Sequence, residues 1–242
     1  MTYYDFRDGL QRINNILYQE MYEEESRRIP SESQMTYSNG YTTRVSSIFV
    51  DIRNSTKLFA NKDREMVTRV IRSFVSEVIE VLQSDDFDEI GIRGDCVYGI
   101  YSTPKAKEIF EVFNKATYIN SLMGLLNRQY RKKNYPFLKV GIGLAVSDDF
   151  VVKVGRKGSG INDRVWIGSA VTDASKLSSY GNKNGYGPIV MSDDFHHSIT
   201  KYRNNGCERE WFEQAAIKGK TIYHCDVTDD CFDNWIEKNV RP

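Results

Sequence analysis

What most constrains this chain is the order in which its hydrophobic spacing changes between Val45 and Val146. Val45, Ile48, Phe49, Val50 and Ile52 are β-branched or aromatic and predict a strand. Across Leu58 to Leu82, an apolar stripe of Val67, Val70, Ile71, Phe74, Val75, Val78, Ile79 and Leu82 predicts a helix. Glu89 to Tyr101 reads as strand, tight turn at Gly94-Asp95, and strand. Pro104 opens a second helix at about its first turn, and the pattern runs to about Tyr130. Phe137 to Val146 is again a strand. The order β-α-β-β-α-β is the split, ferredoxin-like unit, so the predicted fold class is α+β with a βαββαβ core.

The same stretch sets out two carboxylates. Asp51 stands where the first strand ends, and Arg53, Asn54, Ser55 and Thr56 after it are turn and helix-cap residues. A carboxylate there can hold a divalent cation while helix amides face phosphate oxygens. Asp95 sits in the turn of the predicted hairpin. On neighbouring strand ends, two such groups could hold two ions about 3.5–4 Å apart. Taken singly, each aspartate reads first as a cap or turn residue, and only the pair points to metal.

The totals set outer limits. With 242 residues, 40% hydrophobic and 27% charged, the chain has enough apolar material for one domain with an extension, or at most two small domains. A formal net charge of zero gives no global field for nucleic acid or an anionic membrane, and neither is expected as a partner. No leader-like apolar region and no run near the roughly 18 residues of a membrane span stands out. Cys96, Cys207, Cys225 and Cys231 form no C-x-x-C pair, which predicts a reduced, cytoplasmic protein. The three histidines, His196, His197 and His224, show no metal or triad spacing.

Residues 1–44 read as a helical extension. Phe6, Leu10, Ile13, Ile16, Leu17 and Met21 fall at helical spacing, Glu23 to Arg28 closes the helix in polar residues, and Ile29-Pro30 stops it. Such a helix needs a surface to cover, on its own domain or on a partner subunit. The main domain is assigned to residues 45–228, and residues 229–242 form a tail with no assigned role. Within the domain, Phe150 to Val154 reads as a separate strand and Gly155 to Gly160 as a hairpin tip. Gly168 to Tyr180 is a helix ended by Gly181. Ile189 to Met191 is a short strand, and Ser192 caps a further helix. Arg209 to Phe212 and Thr221 to Cys225 read as a closing strand pair around Lys218-Gly-Lys220.

Four segments in order carry a resemblance: Phe49-Val-Asp-Ile-Arg-Asn-Ser-Thr56, Arg93-Gly-Asp95, Trp166-Ile-Gly-Ser-Ala-Val-Thr-Asp-Ala-Ser-Lys-Leu177 and Ile217-Lys-Gly-Lys220. Their order and spacing resemble the class III nucleotide cyclases, from about Val45 to Val227. The resemblance implies conversion of a nucleoside triphosphate to a 3′,5′-cyclic monophosphate and pyrophosphate with two divalent cations, Mn²⁺ or Mg²⁺. By position, Asp51 and Asp95 match the metal aspartates and Ile52 the residue lending a backbone carbonyl. The amides of Arg53, Asn54, Ser55 and Thr56 match the phosphate-binding helix start. Lys218 or Lys220 matches the triphosphate lysine.

Two transition-state positions depart from the pattern. Where the family usually has Asn and Arg, this chain has Thr172 and Lys176. Lysine keeps the charge but loses the bidentate fork. The positions that read a purine base hold Gly91 and Val165, so a polar purine reader is missing at both. Arg93 and Arg44 are the candidates to read a base instead, and Trp166 lines the pocket or fills the core.

Size, the N-terminal extension, the Phe-Val-Asp-Ile-Arg stretch and the missing purine readers resemble the stand-alone Pycsar pyrimidine cyclases of bacterial antiphage defence. That implies cyclic UMP as product, read by a separate effector protein. Cyclic CMP, an adenylate or guanylate cyclase, and a degenerate nucleotide-binding module are the alternatives. The family's sites form between two subunits facing head to tail, which implies a homodimer with shared active sites.

Overall fold

The computed structural model describes residues 4–60, 62–83, 89–203 and 210–240. Its elements in chain order are α1 (Phe6–Leu17), β1 (Tyr22–Glu25), β2 (Asn39–Ile52), α2 (Ser55–Phe59), α3 (Arg64–Leu82), β3 (Glu89–Arg93), β4 (Cys96–Ser102), α4 (Ala106–Lys132) and β5 (Val140–Gly155). They continue with β6 (Asn162–Ile167), α5 (Ser169–Ser178), β7 (Ile189–Ser192), α6 (Asp193–Arg203), β8 (Glu213–Ile217), β9 (Lys220–Cys225) and α7 (Asp230–Asn239).

One sheet runs β3-β4-β2-β5-β7-β9-β8, with β1 on β2 and β6 on β5. Its β3-β4-β2-β5 part, with α3 and α4, is the expected βαββαβ unit. Strand alternation divides β2 between two layers. Ile48, Val50 and Ile52 point into the main core, where Val70, Phe74 and Val78 of α3 meet Phe113, Ile119 and Leu122 of α4. Phe49 points the other way, against Ala145 and Ala174, under α5. Asp51 shares that second face.

Several boundaries differ from the sequence reading. The helix expected from Leu58 is broken before α3, because Asp63 caps α3 by accepting from the Met66 amide at 2.8 Å. Pro104 lies outside its helix; α4 begins at Ala106 behind a capping box in which Glu108 bonds the Lys105 amide at 2.7 Å. β5 is one 16-residue strand rather than two, because β2 pairs with it unbroken from Gly40↔Val152 to Ile52↔Val140. Its polar middle, Ser147-Asp148-Asp149, has the composition of a turn. Glu23 to Arg28 is not the end of α1: Tyr22–Glu25 is β1, an exposed edge strand parallel to β2. Backbone pairing, which leaves no hydrophobic pattern, holds it there. The first core strand begins at Asn39. The closing pair is β8 and β9, and Arg209 lies outside the described residues. Lys218 and Gly219 between them have φ of 50° and 80°, the two-residue turn a twisted hairpin favours.

The tail beyond Asp229 is α7, capped by Asp229, with Ile236 buried. Arg128 of α4 donates to Val240 O at 2.9 Å. Cys96, Cys225 and Cys231 are free thiols, and Cys207 lies outside the described residues. No described helix is long and apolar enough to cross a membrane.

Candidate active site

Asp51 pairs with Cys96 across β2 and β4, so the hairpin turn carries Asp95 to its side. Gly94 makes that turn with φ of 67°, a conformation that disfavours any residue with a Cβ. Burial pushes the Asp51 carboxyl above its ordinary range; the Arg53 guanidinium works against this, and the neighbouring Asp95 adds to it. Asp95 Oδ2 is buried with no hydrogen-bond partner among the described residues. Two adjacent carboxylates, one with an orphan oxygen, are a donor set that fits divalent cations. No described cluster of three or more His, Cys, Asp or Glu side chains is placed to hold a metal, and a site that borrows phosphate oxygens needs none. Cys96 adds no thiolate, since burial pushes its thiol up to about 12. The Ile52 side chain is in the core.

Arg53 does something the sequence did not suggest. Its amide, expected at a phosphate, donates to Lys139 O at 2.8 Å. Its buried guanidinium bonds the Asp51 carboxyl and donates to Ser179 O at 2.7 Å, tying the end of β2 to the end of α5. Asn54, at φ of 55°, turns the chain so that Ser55 and Thr56 open the short α2.

α5 carries both departures. Thr172 Oγ1 donates to Gly168 O at 3.0 Å, so its one proton is held within its own helix. Lys176 is exposed and lies 3.7 Å from Asp173 Oδ1. Lys220, on the β8–β9 hairpin, lies 3.2 Å from Asp173 Oδ2. Asp173, Lys176, Lys218 and Lys220 line one cavity of about 410 Å³. The structure thus brings together three expected lysines and a carboxylate that sequence reasoning missed. The three-residue spacing of Asp173 and Lys176 on a helix was the available signal.

The positions weighed as base readers are Gly91 and Val165. A Cβ on Gly91 would come within 2.5 Å of the Tyr98 ring, which is held by stacking on Phe49 with centroids 5.2 Å apart. Tyr98 thus fills the space of the missing side chain. Beside it, Glu89 accepts from Trp166 Nε1 at 2.9 Å, so Trp166 is a packing residue with a satisfied indole. Glu89 was also missed, although alternation puts it on one face with Gly91 and Arg93. Val165 is exposed. Arg44 falls on the opposite face of β2 from Asp51, ion-paired to Asp148 at 3.5 Å, and does not join Arg93.

Comparison with known proteins identifies the family. Residues 37–227 match the family model of the adenylate and guanylate cyclase catalytic domain. A uridylate cyclase of Treponema porcinum is 44% identical over 240 residues, covering 98% of this chain and 82% of that protein. A uridylate cyclase of Gulbenkiania mobilis is 30% identical over 250 residues, covering 98% and 97%. The crystal structure of the adenylyl cyclase CyaB from P. aeruginosa superposes with a TM-score of 0.64 at 20% identity, covering 79% of this chain and 97% of that one. With four motifs in order, a matching fold and a family match across most of its length, this chain belongs to the class III nucleotide cyclases.

Proposed function

We propose that this chain is a uridylate cyclase that converts UTP to 3′,5′-cyclic UMP and pyrophosphate. The observation that carries the reading is the Asp51↔Cys96 pairing, which seats Asp95 beside Asp51 and leaves an Asp95 oxygen without a partner among the described residues. Similarity to two uridylate cyclases supports the choice of UTP. Asp51, Asp95 and the Ile52 carbonyl would hold two divalent cations, Mg²⁺ or Mn²⁺, which when bound lower the pKa of the ribose 3′-hydroxyl and neutralise triphosphate charge. The 3′-oxygen attacks the α-phosphorus in line, and the bond to pyrophosphate breaks. Lys176 stabilises the charge that builds on the α-phosphate, Thr172 orients the ribose, and Lys218, Lys220 and the start of α2 hold the outer phosphates.

Arg93 is the base reader in this proposal. It shares a face with Gly91 and precedes the Gly94-Asp95 turn, whereas Arg44 faces away. A guanidinium only donates, which suits the two carbonyls of uracil and leaves the cytosine amino group unpaired.

The enzyme works as a head-to-tail homodimer. Thr172 and Lys176 lie exposed on α5, and Ile92, Val165 and Ile167 beside the site motifs are exposed apolar residues that a second subunit would cover. The apolar stripe of α1 is also exposed, with Leu10 at 61% and Leu17 at 71%, and we assign it to the same partner. The reaction takes place in the cytoplasm. The product serves a separate effector in antiphage defence, the role that the resemblance to Pycsar cyclases implies.

Incubation with Mn²⁺ and equal UTP, CTP, ATP and GTP, with products resolved by mass spectrometry, tests the reading. Cyclic UMP should dominate, with cyclic CMP lower by roughly five- to 150-fold. Comparable cyclic AMP overturns the pyrimidine assignment, and no cyclic product at all makes the chain a nucleotide-binding module. Arg93→Ala should narrow the UTP to CTP ratio while Arg44→Ala leaves it unchanged; an unchanged ratio in Arg93→Ala removes the arginine from the base site.

A further inference from the structure

Asp149 stands in the middle of β5 with a fully buried side chain. Its Oδ1 accepts from Ser147 Oγ and, at 3.3 Å, from the backbone N–H of Ala170. Its Oδ2 is buried with no hydrogen-bond partner among the described residues. Across the ladder on β2, Thr43 is equally buried, and its Oγ1 also lacks a partner. Burying these groups opposes folding, and the backbone alone makes the strand pairing. An apolar side chain at 149 would serve the sheet as well.

What Asp149 supplies is a cap. Ala170 is in the first turn of α5, whose free amides need acceptors. The residue at the cap position is Gly168, which has no side chain to offer. A carboxyl from β5 does that work instead. The fit is close: a Cβ on Gly168 would stand 2.1 Å from Asp149 Oδ1 and 2.2 Å from Cγ. The first turn is then stitched a second time by the Thr172 hydroxyl on Gly168 O. The later turns of α5 sit on the sheet through bare backbone, because Gly143 and Gly141 admit Ala174 O and Ser178 O where a Cβ would lie within 2.0 and 2.1 Å. These contacts set the height of the helix but leave its start to Asp149.

We propose that Asp149 is a positioning residue for cyclisation: it fixes the first turn of α5 and, through the helix, where Thr172 and Lys176 stand. This rests on reading α5 as the carrier of the transition-state groups. An error of about 1 Å in such a group is enough to cost on the order of a hundredfold in rate.

The test measures kcat and KM for UTP, thermal unfolding and dimer formation in full-length Asp149→Asn, Asp149→Leu, Lys176→Ala and Asp149→Leu/Lys176→Ala. Asparagine keeps an acceptor for the Ala170 amide. Leucine fills the site without one and removes the buried carboxyl. Asp149→Leu should fold and dimerise, with unfolding at or above the wild-type temperature, while kcat falls about tenfold or more and KM moves less than about twofold. Asp149→Asn should recover most of the loss. The double variant should lose less than the two single losses multiplied, because Lys176 is one of the two groups that Asp149 positions. A folded Asp149→Leu with wild-type kcat, or losses that multiply fully in the double variant, overturns the proposal. A Lys176→Ala enzyme with wild-type kcat overturns the reading of α5 itself, and the proposal with it.

Discussion

Lys176 and Lys220 come from different elements yet meet on one carboxyl group, with Asp173 Oδ1 3.7 Å from the first and Asp173 Oδ2 3.2 Å from the second. The α5 helix brings Asp173 and Lys176, and the β8–β9 hairpin brings Lys220. Two ammonium groups facing two oxygens of one anion is the arrangement a phosphate would also satisfy. Both lysines are largely exposed, so each pair is weak, within about 1 kcal/mol, and yields to a better anion.

Asp173 should therefore compete with the triphosphate. Asp173→Asn is expected to lower KM for the nucleotide about two- to fivefold, the size of one such pair. Steady-state kinetics at low and high salt checks this. A raised KM would mean that Asp173 organises the lysines rather than opposing the substrate.

Asp51 and Asp95 should differ in stability while agreeing in activity. Both alanine variants are expected to be inactive. Asp51→Ala leaves the buried Arg53 guanidinium without its carboxyl partner and should cost about 1–3 kcal/mol. Asp95→Ala removes an oxygen that has no partner among the described residues and relieves repulsion with Asp51, so its unfolding temperature should stay level or rise. Thermal unfolding in a chelator compares the apo proteins directly. Turnover by either variant near the wild-type rate removes that aspartate from the metal site.

Shared sites make a numerical prediction. Mixing inactive Asp95→Ala with the strongly slowed Lys176→Ala at equal concentration gives half heterodimers if subunits exchange freely. Each heterodimer then has one intact site and one doubly defective site, so about a quarter of wild-type activity should return. No recovery in a mixture proven to contain heterodimers places the whole site in one subunit.

The parts of this molecule legible in its sequence are those where the hydrophobic period and the chemistry coincide. The stripe from Val67 to Leu82 reports a buried helix face, and the strand pattern from Val45 runs out at Ile52, where turn and cap residues follow. The turn at Gly94-Asp95 is legible from its residue types. What was illegible depends on residues far apart in sequence. β1 is held by backbone hydrogen bonds, to which side-chain pattern is blind. The unity of β5 comes from β2, and its polar centre at Ser147 to Asp149 imitates a loop. Arg53 reads as a cap residue until the end of α5 is seen beside it. Glu89 reads as an exposed strand start until Trp166 arrives from β6.

Glu89 gives a pH-dependent prediction. Its carboxyl accepts the Trp166 indole proton and sits beside Tyr98, Arg164 and Asp163, in a cavity that Lys153 and Glu32 also line. Burial pushes it above the ordinary glutamate value of 4.5, against the pull of the indole bond and of Arg164. A carboxyl with a raised folded pKa opposes folding once it is ionised in both states. The cost is absent below about 4.5, grows as pH rises toward the folded pKa, and is constant above it. Glu89→Gln keeps an oxygen for Trp166 and cannot ionise. It should unfold at a higher temperature than wild type at pH 7–8, and the gap should close as the pH is lowered toward 4.5. Thermal unfolding of both proteins across that range decides the matter: a gap independent of pH would show that the glutamine acts by packing alone, and a lower unfolding temperature at neutral pH would show that the charge on Glu89 is held by Arg164 more strongly than burial opposes it.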